Sequence, residues 1–389
     1  MDAQQWHSHF DARQRRAALW NYAMFLTGIE RIERALTAVL LAVPGHAERS
    51  FLATQISDEA RSRIFFERFL REVAGQGNDT ASTLRAAERH LTWGFRQIFG
   101  ELDRVAEALR KKPGDRPVLA QAVSLCHVII EGVLAIPGQH FIQRYVEKQG
   151  LLPGLTRGLS HVALDEARHV AFGMRLLRDM VSTSKDCRDA VIAMCNRTLP
   201  WMVGVFVPPG LDSSYSERFD FTLADVYAFG LKSLESKLER VGIAPRELML
   251  LSLDDRSLSY EERAERLLVL VRAGVIGDDR REPRLSLEAF EILFDGTARA
   301  LDAAVAASLG GPIEWDFTDA EPWHVIVTNG RVEAKPGRAG TPALRLEIAS
   351  GDWAKVALGR SPARWALVTR KLRVHGHLPA KAKLAKLFN

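Results

Sequence analysis

The spacing of apolar residues changes near residue 310, and this change constrains the fold more than any other feature. Through the first 245 residues, apolar positions recur every three or four residues, as on the buried face of an α-helix. Pro44-Gly45 ends the first such segment. Long amphipathic helices with short connections favour a helical bundle. The predicted helices lie within residues 19–41, 48–75, 117–136, 160–181, 187–206 and 219–241.

After residue 310 the apolar residues alternate with polar ones, as in half-buried strands. Asn329-Gly330 is a strong signal for a two-residue hairpin turn. Short helices, a further strand and a closing basic helix complete this part of the chain. We predict a mainly α protein, with a ferritin-like bundle over residues 1–245, a turn-rich connector over 246–285 and an α+β domain over 286–389.

Charge is distributed unevenly along the chain. The net charge is +5, but the last 40 residues hold nine Lys or Arg and one acid, which leaves 5 − 8 = −3 for the rest. A near-neutral body argues against a nucleic-acid binder. Three cysteines form no CxxC pair, and neither a secretory signal nor an apolar stretch of about 18 residues is apparent. We expect a cytoplasmic protein with reduced thiols.

Glutamates on the apolar faces of the predicted helices are the candidate functional residues. Glu131 lies in the apolar run HVIIEGVLAI, where an unpaired carboxylate costs several kcal/mol unless a metal, a proton or a basic partner compensates it. Glu166 and His169 are three residues apart, so they project from one helix face and can bind one metal ion. Glu131 lies on the helix before Glu166, 35 residues upstream, and Glu30 and Glu59 are placed similarly on the first pair of helices, 29 residues apart.

The sequence DEAR occurs twice, over residues 58–61 and 165–168. The second copy is followed by His169, which completes a Glu-x-x-His motif, whereas Ser62 follows the first copy. A two-metal carboxylate centre uses four inward acids with Glu-x-x-His on two of the helices. The alternative is a metal-free network in which Arg31 or Arg168 pairs with the buried acids.

The bundle resembles the ferritin-like superfamily, specifically the small subunit of ribonucleotide reductase and its ligand-binding oxidase relatives. The matching stretches are FLTGIERIERAL, FLATQISDEAR, IEGVLAIPGQHFI and DEARHVAFG. The resemblance implies two iron ions, or iron with manganese, together with dioxygen and an external electron donor such as a reductase. The metal ligands that it implies are Glu30, Glu59, Glu131, Glu166 and His169, of which Glu131, Glu166 and His169 would be catalytic.

Ser62 departs from that pattern, because a histidine is the expected ligand at this position. A serine hydroxyl must deprotonate to bind iron strongly. The centre could therefore be binuclear with one weak ion, hold a single ion at Glu131, Glu166 and His169, or have lost its chemistry. His127 and His161 are candidate replacement ligands, although a histidine in such a place is more often a core residue.

A second departure concerns the radical-forming tyrosine of the reductase. Phe66 stands at its position, and Tyr22 has no feature that favours it as a substitute. We therefore expect no stored tyrosyl radical and no ribonucleotide reductase partner. Direct reaction of dioxygen with an organic substrate is the expected use, as in hydroxylation, desaturation or N-oxygenation.

Residues 286–389 resemble the sterol carrier protein type 2 family. The features that carry this resemblance are EPWHVIVTNGRVEAKPGRAGTPALRLEIASGDWAKVALGR, then KLRVHG, then a basic closing helix. The resemblance implies an apolar tunnel for acyl chains, acyl-CoA or sterols. The tryptophans at 315, 323, 353 and 365 either line such a pocket or take part in ordinary core and surface packing. The lysines at 381, 383 and 386 either face an anionic membrane or form a solvated helix face.

Three functions follow from these observations. The first is a metal-dependent oxidoreductase whose bundle uses dioxygen on an apolar or acyl substrate that the second domain binds or delivers, within one chain or across a homodimer. The second is a lipid carrier with a catalytically decayed bundle, for which Ser62 is the strongest argument. A mononuclear hydrolytic or isomerising metalloenzyme is a weaker third reading. The four retained acids favour the first function, because a bundle without metal gains nothing from buried carboxylates.

Overall fold

The computed structural model describes residues 1–252 and 254–383 of the chain. Two compact units divide it, residues 1–248 and residues 249–389. The first unit is built from helices, and the second combines helices with a sheet. A mainly α fold with a small α+β C-terminal unit was predicted and is confirmed. The residues from 249 onward, which include most of the predicted connector over 246–285, belong to the second unit.

The helices of the first unit match the predicted segments and add others between them. Their bounds are α1 Asp2–Ser8, α2 Ala12–Ala42, α3 His46–Arg68, α4 Thr80–Glu88, α5 Trp93–Lys111, α6 Arg116–Val123, α7 Ile136–Lys148, α8 Pro153–Thr183, α9 Lys185–Val205, α10 Ser214–Glu217 and α11 Leu223–Val241.

Side-chain caps fix where several of these helices begin. Asp11 accepts hydrogen bonds from the backbone N–H groups of Arg13 and Gln14, and the Gln14 side chain bonds back to the Asp11 N–H. This reciprocal pair satisfies two of the N–H groups that the first turn leaves without partners. Thr222 forms the same motif at the start of α11. These caps align long helices whose apolar faces then bury against one another.

Helix α5 was not among the helices predicted from the sequence. It packs against α2 and α9, and its inward face carries Phe95, Ile98, Phe99 and Leu102. Thr92 caps it by accepting a hydrogen bond from the Phe95 N–H. The apolar spacing of a helix was therefore present in this segment.

A π-helical segment over Ser124–Ala135 joins α6 to α7. The resulting helix, Arg116–Lys148, is long and apolar enough to cross a membrane by length and composition, but 83% of its most apolar window is buried inside the protein. Core helices of globular domains meet the same criterion. π-Helical turns are uncommon and frequently occur at functional sites. This one carries His127 and Glu131, both fully buried.

The second unit contains a five-stranded sheet with the order β3-β2-β1-β4-β5. Its β1 and β4 are parallel, and the other neighbouring pairs are antiparallel. Asn329 and Gly330 both have positive φ in the turn between β2 and β3, which confirms the predicted hairpin. The strands are β1 Ile313–Phe317, β2 Trp323–Thr328, β3 Arg331–Pro336, β4 Leu344–Ile348 and β5 Arg373–Gly376. The helices of this unit are α12 Met249–Ser252, α13 Tyr260–Arg272, α14 Leu287–Ala300, α15 Ala303–Ala307, α16 Ser350–Ala357, α17 Ala363–Val368 and α18 Leu378–Lys383.

Three of the four tryptophans considered as pocket residues form the core of the second unit. Phe294 of α14 stacks on Trp323 at 4.7 Å and on Trp353 at 4.4 Å between ring centroids. Trp315 meets the same ring edge to face. Trp365 differs, because 59% of it is exposed. Ordinary packing therefore describes these residues, three of them in the core and Trp365 at the surface.

Gly173 of α8 allows the close approach of the π-helical segment. A Cβ at this position would lie 2.2 Å from both Cβ and Cγ of His127. We expect Gly173→Ala to destabilise the protein by about 1–3 kcal/mol, as overpacking does in other cores. Urea unfolding followed by far-ultraviolet circular dichroism measures this loss.

Gly100 provides the control for this substitution. It is exposed within α5, and a Cβ there would meet no atom within 4 Å. Gly100→Ala should stabilise the helix by roughly 0.5–1 kcal/mol. Equal effects of the two substitutions would contradict the proposed contact with His127.

Candidate metal centre

Three helical elements bring four of the predicted ligands into one buried cluster. Glu59 comes from α3, Glu131 from the π-helical segment, and Glu166 and His169 from α8. Their exposed fractions are 1%, 0%, 8% and 2% respectively. The three-residue spacing of Glu166 and His169 places both on the inward face of α8, as the sequence predicted.

Atoms without hydrogen-bond partners converge in this cluster. They are Glu59 Oε1, Glu131 Oε2, Glu166 Oε2 and His169 Nδ1. Glu59 Oε1 lies 3.3 Å from His169 Nδ1, and ligand atoms of Glu59, Glu131 and His169 all lie within 4.8 Å of one another. Buried polar atoms almost always have a partner. Apart from the approach of Glu59 Oε1 to His169 Nδ1, these four atoms have none, and their convergence fits a bound cation.

The same burial sets the electrostatics of the acids. Burial raises the pKa of Glu131 well above its ordinary value, and the charges of Glu166 and Glu59 raise it further. Burial also raises the pKa of Glu166, followed by the charges of Glu59 and Asp165. For Glu59 burial again dominates, although His169 opposes the rise. A divalent cation would reverse this balance by favouring the ionised carboxylates.

Asp58 orients His169, a role that the sequence analysis did not assign. Asp58 Oδ2 lies 3.2 Å from His169 Nε2, and Asp58 is 3% exposed. When Nε2–H donates to this carboxylate, the lone pair of Nδ1 points toward Glu59 and the cluster. Carboxylates that hold metal-binding histidines in this way fix the tautomer and raise ligand basicity.

The two DEAR copies form a pseudosymmetric group of ion pairs. Arg61 pairs with Asp58 of its own copy and, at 3.4 Å, with Asp165 of the other. Arg168 likewise pairs with Asp165 and, at 3.4 Å, with Asp58. The symmetry ends at the fifth position, where His169 contacts Asp58 and the equivalent residue of the first copy is Ser62. Repetition of the aspartate was the sequence signal for this group.

Gln55 and His127 support Glu131 from the other side. Gln55 Nε2 donates to Glu131 Oε1 at 2.9 Å, and Gln55 Oε1 lies 3.1 Å from His127 Nε2. Burial lowers the pKa of His127 to about 3, with a contribution from His169, so the ring is neutral. His127 therefore lies behind Glu131 rather than among the unpartnered donors. Gln55, one turn before Glu59, was missed because a glutamine within a helix carries no distinctive pattern.

The structure places Glu30 outside the cluster. Its side chain is 30% exposed and lies 3.5 Å from Arg34. The inward face of α2 consists instead of Phe25, Gly28, Ile29 and Ile32, which line a cavity beside the buried acids. The expectation that Glu30 faces the other glutamates is therefore wrong. Each residue turns a helix by about 100°, so Glu30 points away from the direction of Ile29.

The arginine network considered as an alternative does not form around the buried acids. Arg31 pairs with Asp103 at 3.5 Å, and Arg168 pairs with the aspartates of the DEAR copies. Among residues 1–252 and 254–383, no arginine or lysine forms an ion pair with Glu131 or Glu166. These two carboxylates therefore lack the compensation by basic side chains that a metal-free network would supply.

Other candidates from the sequence lie away from the centre or are apolar. His161 is exposed on α8, so it cannot replace the missing histidine. Ser62 is 6% exposed, one turn after Glu59. Phe66 follows after another turn and stacks on Phe25 at 5.1 Å between ring centroids. Tyr22 is buried with no hydrogen-bond partner for its hydroxyl, and burial raises its pKa.

An apolar cavity of about 60 Å³ adjoins Glu131 and Glu166. Its other walls come from α2, α5 and the end of α9, and include Phe95, Phe99 and Phe206. A single water needs about 10–15 Å³ of such space, so the cavity has room for a small group of atoms. This space is large enough for dioxygen or the end of an aliphatic chain.

The contact between Asp58 and His169 generates a test. We expect Asp58→Asn to weaken metal binding about 10- to 100-fold, the usual cost of removing a carboxylate that orients a metal-binding histidine. Isothermal titration of the chelator-treated protein with Mn²⁺ or Fe²⁺ measures the affinity.

Asp165→Asn is the matched control, because Asp165 makes the corresponding ion pairs with Arg61 and Arg168. The structure gives it no contact with a histidine. Its effect on affinity should be several-fold smaller. Equal losses in both variants would show that the ion pairs, and not the bond to His169, support the centre.

Comparisons with known proteins found similar proteins for the helical bundle and for the C-terminal region. Residues 291–389 match the SCP-2 sterol transfer family. An R2-like ligand-binding oxidase from Sulfolobus acidocaldarius superposes with a TM-score of 0.51 at 20% identity, covering 67% of this chain and 85% of that one. A single-residue mutant of an R2-like ligand-binding oxidase, with an anaerobically reconstituted Mn/Fe cofactor, superposes with a TM-score of 0.53 at 20% identity, covering 62% and 85%.

At this level of identity the superpositions establish the fold of the bundle. They confirm the predicted fold of the bundle, and the family match confirms the predicted resemblance of the C-terminal region to sterol carrier proteins. The chain joins a helical bundle with the fold of R2-like ligand-binding oxidases to a C-terminal region that matches the SCP-2 sterol transfer family.

Proposed function

We propose that the bundle is a metal-dependent oxidoreductase that uses dioxygen on an apolar organic substrate. The observation that carries this proposal is the convergence of four unpartnered donor atoms inside the bundle. Carboxylate oxygens with one imidazole suit iron or manganese better than zinc or copper, which prefer more nitrogen or sulfur ligands. A superposed R2-like ligand-binding oxidase carries a Mn/Fe cofactor, which is consistent with this choice of metal.

The bound metal would supply redox chemistry with dioxygen, and the electrons would come from an external donor. The chain's own residues prepare the place for this chemistry. Glu59, Glu131 and Glu166 provide negative charge that stabilises an oxidised metal ion. Asp58 keeps Nδ1 of His169 directed at the centre, and Gln55 holds one oxygen of Glu131.

The apolar cavity supports an apolar substrate. Phenylalanines from α2 and α5 cover the side of the cluster that Glu131 and Glu166 face. These apolar walls favour an aliphatic or aromatic group as the neighbour of the acids. Hydroxylation, desaturation and N-oxygenation each fit a reacting group of this size. Phe66 lies where the reductase has its radical tyrosine, which agrees with direct use of dioxygen rather than radical storage.

Substitution of Glu131 by glutamine tests the metal requirement. Glu131→Gln should lower bound iron or manganese to near zero in protein purified without chelators, as measured by mass spectrometry, and should abolish dioxygen uptake with a chemical reductant. Glu30→Gln is the control and should retain full metal content, because Glu30 is partly exposed on another helix face. Normal metal content in Glu131→Gln would contradict the proposed centre.

Glu131→Gln, which should abolish metal binding, should stabilise the metal-free protein against unfolding at alkaline pH. Burial raises the pKa of Glu131 above 4.5, so the folded state binds this proton more tightly than the unfolded state. The stability that this proton contributes is present at acidic pH and is lost as pH rises through the raised pKa. Metal-free Glu131→Gln should therefore be more stable than wild type in alkaline buffer, by on the order of 1–2 kcal/mol. Equal melting of both metal-free proteins at all pH values would contradict the cost assigned to this carboxylate.

We propose in addition that the second unit contacts an anionic lipid surface. The specific observation is an apolar patch on α17, formed by Trp365, Leu367 and Val368 with exposed fractions of 59%, 43% and 75%. Arg364 and Arg370 are exposed at either end of this short helix. Interfacial segments combine large apolar residues with basic ones in this way. We call these three apolar residues the α17 patch.

The closing lysines contribute less to this surface than the sequence suggested. Lys381 is exposed on α18, but the Lys383 ammonium donates to the Ser308 carbonyl at 2.8 Å. Lys386 lies outside the described residues. The positive charge that accompanies the α17 patch therefore comes chiefly from the arginines that flank it.

Vesicle sedimentation tests this second proposal. The full chain should bind vesicles of phosphatidylcholine with phosphatidylglycerol more tightly than vesicles of phosphatidylcholine alone. Trp365→Ala should weaken that binding at least tenfold, because the loss of buried indole surface costs about 1.4 kcal/mol or more. Leu41→Ala, at an exposed position of the bundle, is the control. Unchanged binding by Trp365→Ala, or binding that ignores lipid charge, would contradict the role of the patch.

A further inference from the structure

We infer that the centre holds a single metal ion, with Glu59, Glu131, Glu166 and His169 as its ligands. The inference rests on the proposed metal-dependent function and departs from the two-ion centre that the fold suggests. Two-metal carboxylate bundles take a glutamate from each of two helices and a Glu-x-x-His motif from each of the other two. This chain retains four of those six donors, and the four lie together.

The retained donors form one complete set. Ligand atoms of Glu59, Glu131 and His169 lie within 4.8 Å of one another, and Glu166 adds a further unpartnered oxygen one turn before His169. Three carboxylates and one imidazole give a single ion at least four ligands. All four side chains are buried, and Asp58 already orients the histidine.

Both terminal donors for a second ion are absent from the places where they would be needed. Ser62 stands where α3 would supply a histidine, and its hydroxyl is neutral at ordinary pH. The inward face of α2 offers Phe25, Gly28 and Ile29 instead of a carboxylate. Phe66, one turn after Ser62, stacks on Phe25 with ring planes 6° apart. A second divalent ion here would face apolar groups. It would lose most of its hydration shell without protein ligands to replace it.

Gln55 further restricts Glu131 to one ion. Its amide nitrogen donates to Glu131 Oε1 at 2.9 Å, and His127 holds the amide from behind. Only Oε2 of Glu131 is then without a partner. Bridging of two ions through both oxygens would compete with this hydrogen bond, which therefore favours a terminal, monodentate ligand.

The charge of the set has a consequence for the ion. Three ionised carboxylates around a divalent ion carry a net charge of −1, and around a trivalent ion the sum is zero. A buried site disfavours net charge. The trivalent state is therefore stabilised relative to the same ion in water, and the site suits a metal with accessible divalent and trivalent states.

Metal counting and magnetic resonance test the inference on the full chain. Protein loaded with Mn²⁺ and passed through a desalting column should hold one ion per chain by mass spectrometry. Its electron paramagnetic resonance spectrum should be that of an isolated Mn²⁺ ion without exchange coupling. Two ions per chain, or a coupled spectrum, would overturn the single-ion inference and leave the metal-dependent function intact. No bound ion would overturn the proposed function itself.

A pair of variants at equivalent positions of the DEAR copies sharpens the result. Ser62→Ala should keep one Mn²⁺ with an affinity within about twofold of wild type, because the hydroxyl is not a ligand. His169→Ala should lose the ion. Circular dichroism verifies that both variants fold. Loss of Mn²⁺ in Ser62→Ala would identify Ser62 as a ligand and overturn the assigned donor set.

Discussion

The burial of three carboxylates inside one helical bundle is the constraint on which the first unit depends. Each carboxylate costs several kcal/mol when it leaves water without a partner. Glu59, Glu131 and Glu166 form no ion pair with arginine or lysine among the described residues, and each has an oxygen without a hydrogen-bond partner. The apolar faces of the long helices must therefore supply the energy that encloses them, until a cation offsets the cost.

The groups around these carboxylates keep the donor atoms in place. Asp58 and Gln55 each hold one donor residue, and His127 holds Gln55. Gly173 lets α8 approach the π-helical segment closely enough for the ligands of both elements to meet. Much of this support consists of hydrogen bonds and close contacts between helices, so a change several ångströms from the ion can alter its binding.

Several features of the fold and site were predictable because they depend on local spacing. Apolar periodicity identified most of the bundle helices, and Asn329-Gly330 identified the hairpin. Glu166 and His169 were recognisable because a three-residue spacing places them on one helix face. The role of Asp58 could have been found from the repeated DEAR, whereas Gln55 had no such signal. Glu30 was misplaced because its helix phase differs from that of the inward residues by about one position.

The sequence by itself determined most of the long helices and the hairpin, that two different architectures follow one another, and that acids lie on apolar faces. Only the tertiary structure decided which acids share a centre. In the packed structure Glu30 lies near Arg34 and solvent, and apolar residues form the inward face of α2. The Gln55 amide donates a hydrogen bond to Glu131. The physical reason is that periodicity reports the face of one helix, whereas a metal centre depends on the rotation and separation of several helices packed together.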